Sequence, residues 1–402
     1  MRDFTNFVAD RGQGMYKTKT IKVVVYGLGT NFHKSIDYID KRFIIAGCSD
    51  RDYNKQTVAD EYDIAYYLPS QLHAIEYDYI LITSVYDEPI RNELIYKHGI
   101  DGKRVLLMEQ WQRMEFIHSF GEQNPEKIFY LISKPIRHNN GIVSLLNMYL
   151  DILYRIEGKG YIPVIDLQTY KNQYLDDNEI GEVNAWEKFF EQLAPYSVDE
   201  VLHSKNVILG YDEPGYLHGY MHKYNICEMS RMFNKYIHFK PSVQSMIEYE
   251  KNRIFGDKDS VIGVLYRGTD MTGLKLKNHM IQPSLEELYS KVVIYKEKHN
   301  CNKIYLSTED VRAIDYFKEK VGDILIYTNQ LRYGDTGSEW IANLINDRQN
   351  DRYLRGAEYL VAIYLLSQCK CLVSGIVAGS IGALIMNDGQ YEEVCMIDKG
   401  FY

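Results

Sequence analysis

The chain has 402 residues, of which 46% are hydrophobic and 25% are charged, as in soluble globular proteins. At about 150 residues per domain, this length predicts two or three domains. The formal net charge of −9 argues against nucleic acid or an anionic membrane as the main partner. No apolar run approaches the roughly 18 residues of a membrane span. We therefore expect a cytoplasmic protein without an integral membrane segment, with a peripheral position at the inner face of a membrane still open.

The six cysteines are scattered along the chain, which is typical of a reducing compartment. Only Cys369 and Cys371 lie close together in the sequence. Without a second pair or nearby histidines, this spacing predicts no metal site.

Residues 1–20 are polar and mixed, and we expect them to form an N-terminal arm. From Ile21, apolar strands such as IKVVVYG and YDYILITSV alternate with helical stretches. Alternation of this kind predicts a parallel sheet, so 21–112 is predicted to be a small Rossmann-like module.

The first strand of this module leads into the turn GLGTNF, which contains Gly27 and Gly29. Asp50 ends the second strand, where an acid contacts a ribose in dinucleotide-binding folds. Phe32 stands where the third glycine of that pattern is expected, and its bulk hinders close packing of helix on strand. One interpretation is therefore an NAD(P)-dependent oxidoreductase; the other is a degenerate or purely structural nucleotide-type module.

A second domain is predicted over 126–250. The strand IFYLI runs into the loop SKPIRHNNG, and apolar residues at helical spacing then predict a helix over 142–156. Asn139 or Asn140 can cap this helix, and Gly141 allows close approach of a ligand to the backbone. The loop also carries the charged or polar side chains Lys134, Arg137 and His138. The alternative is an ordinary capped loop with solvated charges.

From Ser260 the strands and helices alternate again, so 251–402 is predicted to be another Rossmann-like domain. The strand in GVLYRGTDMTG delivers Arg267 and Asp270 to its carboxyl end, where open α/β sheets bind ligands. The guanidinium offers a fork of donors suited to a diphosphate. Gly268 keeps the loop narrow, and Asp270 would orient the guanidinium or a sugar hydroxyl. A structural Arg–Asp pair is the alternative.

The segment STED also ends a strand and opens a helix. Ser307 or Thr308 is predicted to cap that helix, and Glu309 and Asp310 favour its positive end. A purely structural helix start is the competing interpretation of these residues.

The segment SGIVAGSIG predicts a strand, a turn and a helix start. Backbone N–H groups near Gly379, together with the Ser380 hydroxyl, would form a cradle for phosphate. The lysine of a Walker A loop is missing, so ATP hydrolysis is not expected.

The segments GVLYRGTDMTG, KIYLSTED and YLLSQCKCLVSG resemble three motifs of the α1,6- and protein O-fucosyltransferase superfamily, in the family's order. The resemblance extends over 126–402. It implies an inverting, metal-independent GT-B-type glycosyltransferase whose donor is a nucleotide diphosphate sugar, typically GDP-fucose. The module at 21–112 instead resembles nucleotide-binding-like domains of bacterial surface-polysaccharide enzymes.

By this resemblance, Arg267 matches the arginine that binds the donor β-phosphate, and Asp270 matches the acid that orients it. Glu309 and Asp310 match the paired acids at the edge of the donor pocket. Ser380 lies near the family's last phosphate-contacting turn.

The sequence departs from the family pattern at three places. Leu265 stands where a histidine helps to recognise guanine, and Gly268 replaces a second arginine. The acid of the long helix falls on Ala362, with Glu358 one turn earlier as a substitute. These departures leave the donor base, and hence GDP-fucose itself, open.

Together these observations predict an α/β protein with three-layer Rossmann-like domains, in which a GT-B-type pair follows a small module. The predicted donor-binding residues are Asn140, Gly141, Arg267, Gly268, Thr308, Glu358, Gly379 and Ser380. The predicted catalytic residues are Arg267, Asp270, Glu309 and Asp310. By analogy alone, the acceptor is a glycan or lipid-linked oligosaccharide of surface-polysaccharide synthesis, and no cofactor beyond the donor is needed. A non-catalytic nucleotide-sugar-binding protein is the remaining alternative.

Overall fold

The computed structural model describes residues 21–133, 140–210, 226–269, 275, 279–336, 339–344 and 346–402, apart from the side chains of Lys41 and Arg113. The predicted arm, 1–20, lies outside the described residues. The chain divides into two compact units, one of 1–135 with 196–214, the other of 136–195 with 215–402. The domain boundaries expected from the sequence stay predictions.

Strands and helices are numbered in chain order. The strands are β1 (Lys22–Tyr26), β2 (Ile44–Ser49), β3 (Tyr79–Ile82), β4 (Val105–Leu106), β5 (Ile117–His118), β6 (Phe129–Ser133), β7 (Ile162–Asp166), β8 (Val207–Gly210), β9 (Val261–Leu265), β10 (Lys303–Ser307), β11 (Leu325–Ile326), β12 (Cys371–Gly375) and β13 (Glu393–Ile397). The helices are α1 (Thr30–Arg42), α2 (Gln56–Glu61), α3 (Asp87–Tyr96), α4 (Met108–Arg113), α5 (Ile142–Ile156), α6 (Val198–Val201), α7 (Ile226–Tyr236), α8 (Pro241–Ile254), α9 (Leu285–Lys298), α10 (Val311–Val321), α11 (Asp351–Ser367) and α12 (Ala378–Asn387).

The first unit begins with a parallel sheet in the order β2-β1-β3-β4. The central strand β1 is apolar without alternation because both of its faces are covered. Val23 packs in one core with Phe32 of α1, whereas Val24 packs in another with Leu94 of α3. The predicted Rossmann-like module is therefore confirmed as a parallel α/β layer structure.

The second unit contains a parallel sheet in the order β11-β10-β9-β12-β13. On one face, β9 and β10 share a core with α9 and α10, in which Val264 and Phe317 are buried. On the other face, the Tyr305 hydroxyl of β10 donates to the Ala362 carbonyl of α11, 2.9 Å away. Helices on both faces of a parallel sheet confirm the α/β class. None of the described helices is both long and apolar enough to cross a membrane.

Helix α5 packs tightly on α12 within the second unit. A side chain at Gly382 would collide with Val143, and the Asn147 amide donates to the Ala378 carbonyl at 2.9 Å. The small residues AGSIG at the start of α12 are therefore explained first by this close helix packing.

Several predicted elements need correction. The apolar run KRVLLM predicts a fourth strand over 103–108 in the first sheet. That strand is only Val105–Leu106, because Gly102–Arg104 forms a 3₁₀ turn and α4 begins at Met108. The segment NAWEKFFEQ, within the predicted second domain, is expected to form a short helix. The structure has a 3₁₀ turn there instead, Ala185–Lys188, capped by the Asn184 side chain. By contrast, the bounds predicted for α5 (142–156) and for the long helix α11 (from about Asp351 to Ser367) are confirmed.

Candidate functional site

The ligand-binding edge of the second sheet is fixed by its strand order. The chain runs outward from β9 to β10 and β11 on one side, and from β12 to β13 on the other. In such sheets, ligands bind beyond the carboxyl ends of the strands, at the point where the order reverses. The candidate crevice is therefore lined by the segments that follow β9, β10 and β12.

An ion pair joins Arg267, two residues beyond β9, to Glu309, two residues beyond β10. The register pairs Leu265 with Ser307, so both side chains leave the sheet at the same level. Each of these two side chains is 21% exposed, which leaves the pair open to a ligand from solvent. Asp270, the partner expected for Arg267, lies outside the described residues.

Asp310 is buried, with 1% of its surface exposed, and it organises the start of α10. Its carboxylate accepts from the Arg312 backbone N–H at 2.9 Å, and from the Arg312 guanidinium at 2.9 and 2.7 Å. It also accepts from the Thr269 backbone N–H at 3.3 Å. The helix cap is thus Asp310 rather than Ser307 or Thr308, because the Thr308 hydroxyl accepts from the Asp310 backbone N–H instead. These contacts favour a structural role for Asp310 over a catalytic one.

Gly268 is required by the same cluster. A Cβ at this position would lie 2.6 Å from a Tyr266 ring carbon and closer still to a carboxylate oxygen of Asp310. The next residue, Thr269, adopts the left-handed conformation with φ of 49°, which is uncommon outside glycine. The turn after β9 is therefore narrow, as predicted, and it is held by buried contacts on its inner side.

In the turn after β12, the Ser380 hydroxyl forms hydrogen bonds with the backbone of the turn itself. Ser380 Oγ accepts from the Val377 N–H at 3.0 Å and donates to the Val377 carbonyl at 2.8 Å. A side chain at Gly379 would collide with the Tyr359 hydroxyl and press on Leu265. The predicted phosphate contact of the Ser380 hydroxyl would therefore require this cap to open, whereas the backbone N–H groups of the first turn of α12 need no such change.

The loop before α5 is only partly described. The residue at the N-cap of α5 is Gly141, and among the described residues no side chain caps this helix, so the predicted asparagine cap is wrong for Asn140. The Asn140 carbonyl instead accepts from the Gln173 side chain at 2.8 Å. The other predicted loop residues, Lys134, Arg137, His138 and Asn139, lie outside the described residues.

Glu358 of α11 holds the long segment between β11 and α11. Its carboxylate accepts from Arg348 at 2.7 and 3.2 Å and from the Leu331 N–H at 3.3 Å. It also borders a cavity of about 330 Å³ whose other walls are α8 and residues 328–330. The predicted donor-side acid is therefore present at a cavity, with its charge balanced by Arg348.

Glu250 lines the same cavity, and reasoning from the sequence missed it. It is 7% exposed and lies on the buried stripe of α8 with Val243, Ile247 and Ile254. A lone acid at helical spacing among apolar residues was the signal that would have revealed it.

The glycine turn of the first module is closed by its own acid. Asp50 accepts from the Leu28 N–H at 2.7 Å with one oxygen and from the Asp52 N–H at 2.9 Å with the other. Gly27 has a φ of 97°, so a glycine is needed there. Phe32, at the position of the third glycine, is fully buried and packs against Tyr62. The acid that was predicted to hold a ribose thus stabilises the turn.

Residues 209–378 match the family model described as alpha-(1,6)-fucosyltransferase N- and catalytic domains. Residues 19–106 match a different model, described as C2185-like, N-terminal. No curated protein matches the chain. The fucosyltransferase match includes Arg267, Glu309 and Glu358, but it ends before Gly379 and Ser380.

Among solved structures, a NodZ alpha-1,6-fucosyltransferase soaked with GDP-fucose is 15% identical, covering 65% of this chain and 93% of its own, with a TM-score of 0.41. Fucosyltransferase NodZ from Bradyrhizobium is 14% identical, covering 64% and 93%, with a TM-score of 0.39. POFUT1 in complex with GDP-fucose is 10% identical, covering 73% and 79%, with a TM-score of 0.31. Likenesses at this level carry no argument about the site.

The family model is therefore the finding that bears on the class of protein. The resemblance expected from the three motifs is confirmed over 209–378, where the chain is similar to the catalytic domain of an α-1,6-fucosyltransferase. The prediction of a fucosyltransferase-like enzyme is confirmed to the same extent, and the first module is similar to a separate family.

Proposed function

We propose that this protein is an inverting glycosyltransferase that moves a sugar from a nucleotide diphosphate sugar to a hydroxyl group, with fucose as the candidate sugar. The observation that carries the proposal is the partly exposed Arg267–Glu309 pair at the reversal point of the second sheet. The pair lies within the region similar to fucosyltransferase catalytic domains. No metal is needed in this scheme, because the guanidinium supplies the positive charge.

In the proposed reaction, the donor diphosphate binds the Arg267 guanidinium and displaces the Glu309 carboxylate from it. As the bond between the sugar carbon and the phosphate oxygen breaks, negative charge grows on the diphosphate, and the guanidinium stabilises it. Backbone N–H groups at the start of α12 would add to this stabilisation. The acceptor hydroxyl oxygen forms the new bond to the sugar carbon from the opposite face.

The hydroxyl proton needs a base, and two acids remain candidates. Glu309 loses its partner when the diphosphate binds Arg267, which frees its carboxylate to accept the proton. Asp270 is the other candidate, on the basis of the motif alone. The acceptor class, a glycan or lipid-linked oligosaccharide of surface-polysaccharide synthesis in the cytoplasm, is proposed by analogy with the module at 21–112.

Thermal unfolding of the full chain with GDP, UDP and their sugar conjugates tests the proposal. At a nucleotide concentration of 100 Kd, mass action stabilises the protein by about 2.7 kcal/mol. Arg267→Ala should abolish the shift and lower transferase turnover by roughly 10²–10³-fold. Arg155→Ala, which removes an exposed arginine of α5 paired with Asp151, is the matched control and should behave as wild type.

A wild-type protein that no nucleotide stabilises would contradict the proposal. Stabilisation by a nucleotide sugar without transfer to any hydroxyl acceptor would favour the non-catalytic binding protein instead.

A further inference from the structure

The chain has three tryptophans, and one of them lies at the surface. Trp111 and Trp186 are fully buried, whereas Trp340 is 37% exposed. The Trp340 indole N–H donates to no group among the residues that the structure describes. An exposed indole offers a large, rigid apolar face together with a hydrogen-bond donor. Trp340 is therefore a candidate contact for a ligand.

Trp340 lies in the segment 327–350, which connects β11 to α11. Connections of this length with little regular structure are usually functional. The segment is bonded to the end of β10: the Tyr333 N–H donates to the Glu309 carbonyl at 2.8 Å, and the Val311 N–H donates to the Tyr333 carbonyl at 3.0 Å. Because Glu309 pairs with Arg267, the segment passes directly beside the candidate active site.

The turn that carries Trp340 is anchored from within the second unit. Trp340 precedes a 3₁₀ turn, Ile341–Asn343, in which Ile341 is buried. Arg355 of α11 is 12% exposed in its side chain, and it donates at 3.3, 3.1 and 2.8 Å to three carbonyls of this turn, those of Ile341, Ala342 and Leu344. The indole is thus presented from a fixed backbone rather than from a loose loop.

Hydrogen bonds also join this turn to Tyr333. Arg355 pairs with Asp351, and the Asn346 amide donates to the Asp351 carboxylate at 3.3 Å and to the Tyr333 hydroxyl at 3.2 Å. Trp340 is seven positions from Tyr333, so their Cα atoms are at most roughly 25 Å apart. An extended oligosaccharide can span the distance from the indole to the Arg267–Glu309 pair.

The polar groups beside the indole indicate what it binds. Glu339 directly precedes Trp340 and is exposed, so it repels phosphates and acidic sugars within a Debye length of about 8 Å. Asn343 is exposed and lies on the same side of the 3₁₀ turn as Trp340, because residues three apart eclipse in such a turn. A neutral pyranose suits this set, since its C–H face packs on an indole and its hydroxyls bond to a carboxylate and an amide.

We propose that Trp340, Glu339 and Asn343 form a platform that binds a neutral pyranose. Resting on the proposed function, this sugar belongs to the acceptor glycan, at some distance from the hydroxyl that reacts beside Arg267 and Glu309. The platform holds the acceptor chain in one direction across the crevice. It selects neutral glycans over acidic glycans and over nucleotides.

Acrylamide quenching of tryptophan fluorescence in the full chain tests the platform, because Trp111 and Trp186 are shielded from the quencher. The probes are neutral tetrasaccharides of glucose, galactose and N-acetylglucosamine, with a galacturonic acid tetrasaccharide and GDP as charged counterparts. At least one neutral probe should protect Trp340 from acrylamide, and neither charged probe should. Failure of every neutral probe, or protection by a charged probe alone, would overturn the proposal.

Calorimetric titration with the protecting probe then assigns the contact. Trp340→Ala should weaken binding at least about tenfold, whereas Trp340→Phe, which keeps a ring, should weaken it by about threefold. Glu339→Lys should reduce the preference for the neutral probe over galacturonate. Tyr154→Ala, which removes a comparably exposed ring of α5 (43%), is the matched control. Equal affinities for Trp340→Ala and Tyr154→Ala would contradict the platform, and the quenching test decides without any variant if Trp340→Ala does not fold.

The failures of the two proposals are separable. Trp340→Ala should raise the KM for the acceptor and leave the Arg267-dependent stabilisation by a nucleotide diphosphate unchanged. If transfer proceeds with the same acceptor KM in Trp340→Ala as in wild type, the platform is overturned and the transferase proposal stands. If a neutral glycan binds at Trp340 but no nucleotide binding depends on Arg267, the transferase proposal falls and the sugar site stands.

Discussion

The two parallel sheets of this chain both lead their central strand into a narrow turn, yet the acids beside the two turns do different work. In the first module, both carboxylate oxygens of Asp50 accept hydrogen bonds from nearby backbone N–H groups, those of Leu28 and Asp52. In the second unit, Asp310 has that structural task, and its neighbour Glu309 stays partly exposed on Arg267.

Two adjacent acids thus allow what a single acid does not. One carboxylate is buried and stabilises the turn and the helix start, while the other faces solvent with a cation that a ligand can take over. The difference explains why similar sheet architecture supports a candidate active site in the second unit and a closed turn in the first.

Lowering the pH should produce the largest difference in stability between the two units. Burial, and then the nearby Arg42 guanidinium, lower the pKa of His118 in the first unit to about 4. The unfolded chain takes up this proton at a pKa of about 6.5, so the contribution of neutral His118 is complete above pH 6.5 and is lost as the pH falls to about 4. The first unit should therefore lose about 2 kcal/mol between pH 7 and pH 4.5 through this group.

Urea unfolding followed by Trp111 fluorescence, with Trp186 and Trp340 replaced by phenylalanine, measures this loss. His118→Phe keeps a ring against Phe120 and removes the titrating group. An equal acid-induced loss in His118→Phe would show that other groups of the first unit are responsible.

The two turns should also differ in the stability that they lose when a glycine is replaced by serine. Gly268→Ser should cost about 2 kcal/mol, because its Cβ enters space held by Asp310 and Tyr266. Gly29→Ser should change stability by less than about 0.5 kcal/mol, because no atom lies within 4 Å of its Cβ and serine is a favourable helix N-cap. Urea unfolding midpoints compare the variants, and a Gly268→Ser protein as stable as wild type would contradict the crowded turn.

A smaller loss of stability than that of Gly268→Ser is expected when Asp50 is replaced. Asp50→Ala removes the acceptor of two backbone N–H groups and should cost about 1 kcal/mol while leaving transferase activity unchanged. NAD(H) titration is the second readout, and neither protein should bind it. Saturable NAD(H) binding that Asp50→Ala abolishes would instead support the oxidoreductase alternative.

Local patterns in the sequence predicted much of the fold because those patterns act over one or two helical turns. Apolar stripes placed α5 and α11 at their observed bounds, and apolar runs placed the central strands. The predicted length of β4 was too great, because the apolar run LLM continues beyond Leu106, the last residue of the strand, to Met108, the first residue of α4.

The candidate site was less predictable because its contacts join distant residues. Arg267 and Glu309 are 42 positions apart and meet only through the register of β9 and β10. Glu250 borders its cavity only after α8 packs beside residues 328–330, so its position on the apolar stripe of α8 indicates burial but does not indicate the cavity.

The crowding around Gly268 limits how this turn can change over evolutionary time. The motif that this segment resembles has an arginine at this position, and a single substitution to arginine does not fit here, because the required volume is occupied by the carboxylate of Asp310. Removing that carboxylate would uncap α10 and release Arg312 from its pair. An arginine at position 268 would therefore require the start of α10 to be rebuilt in the same step.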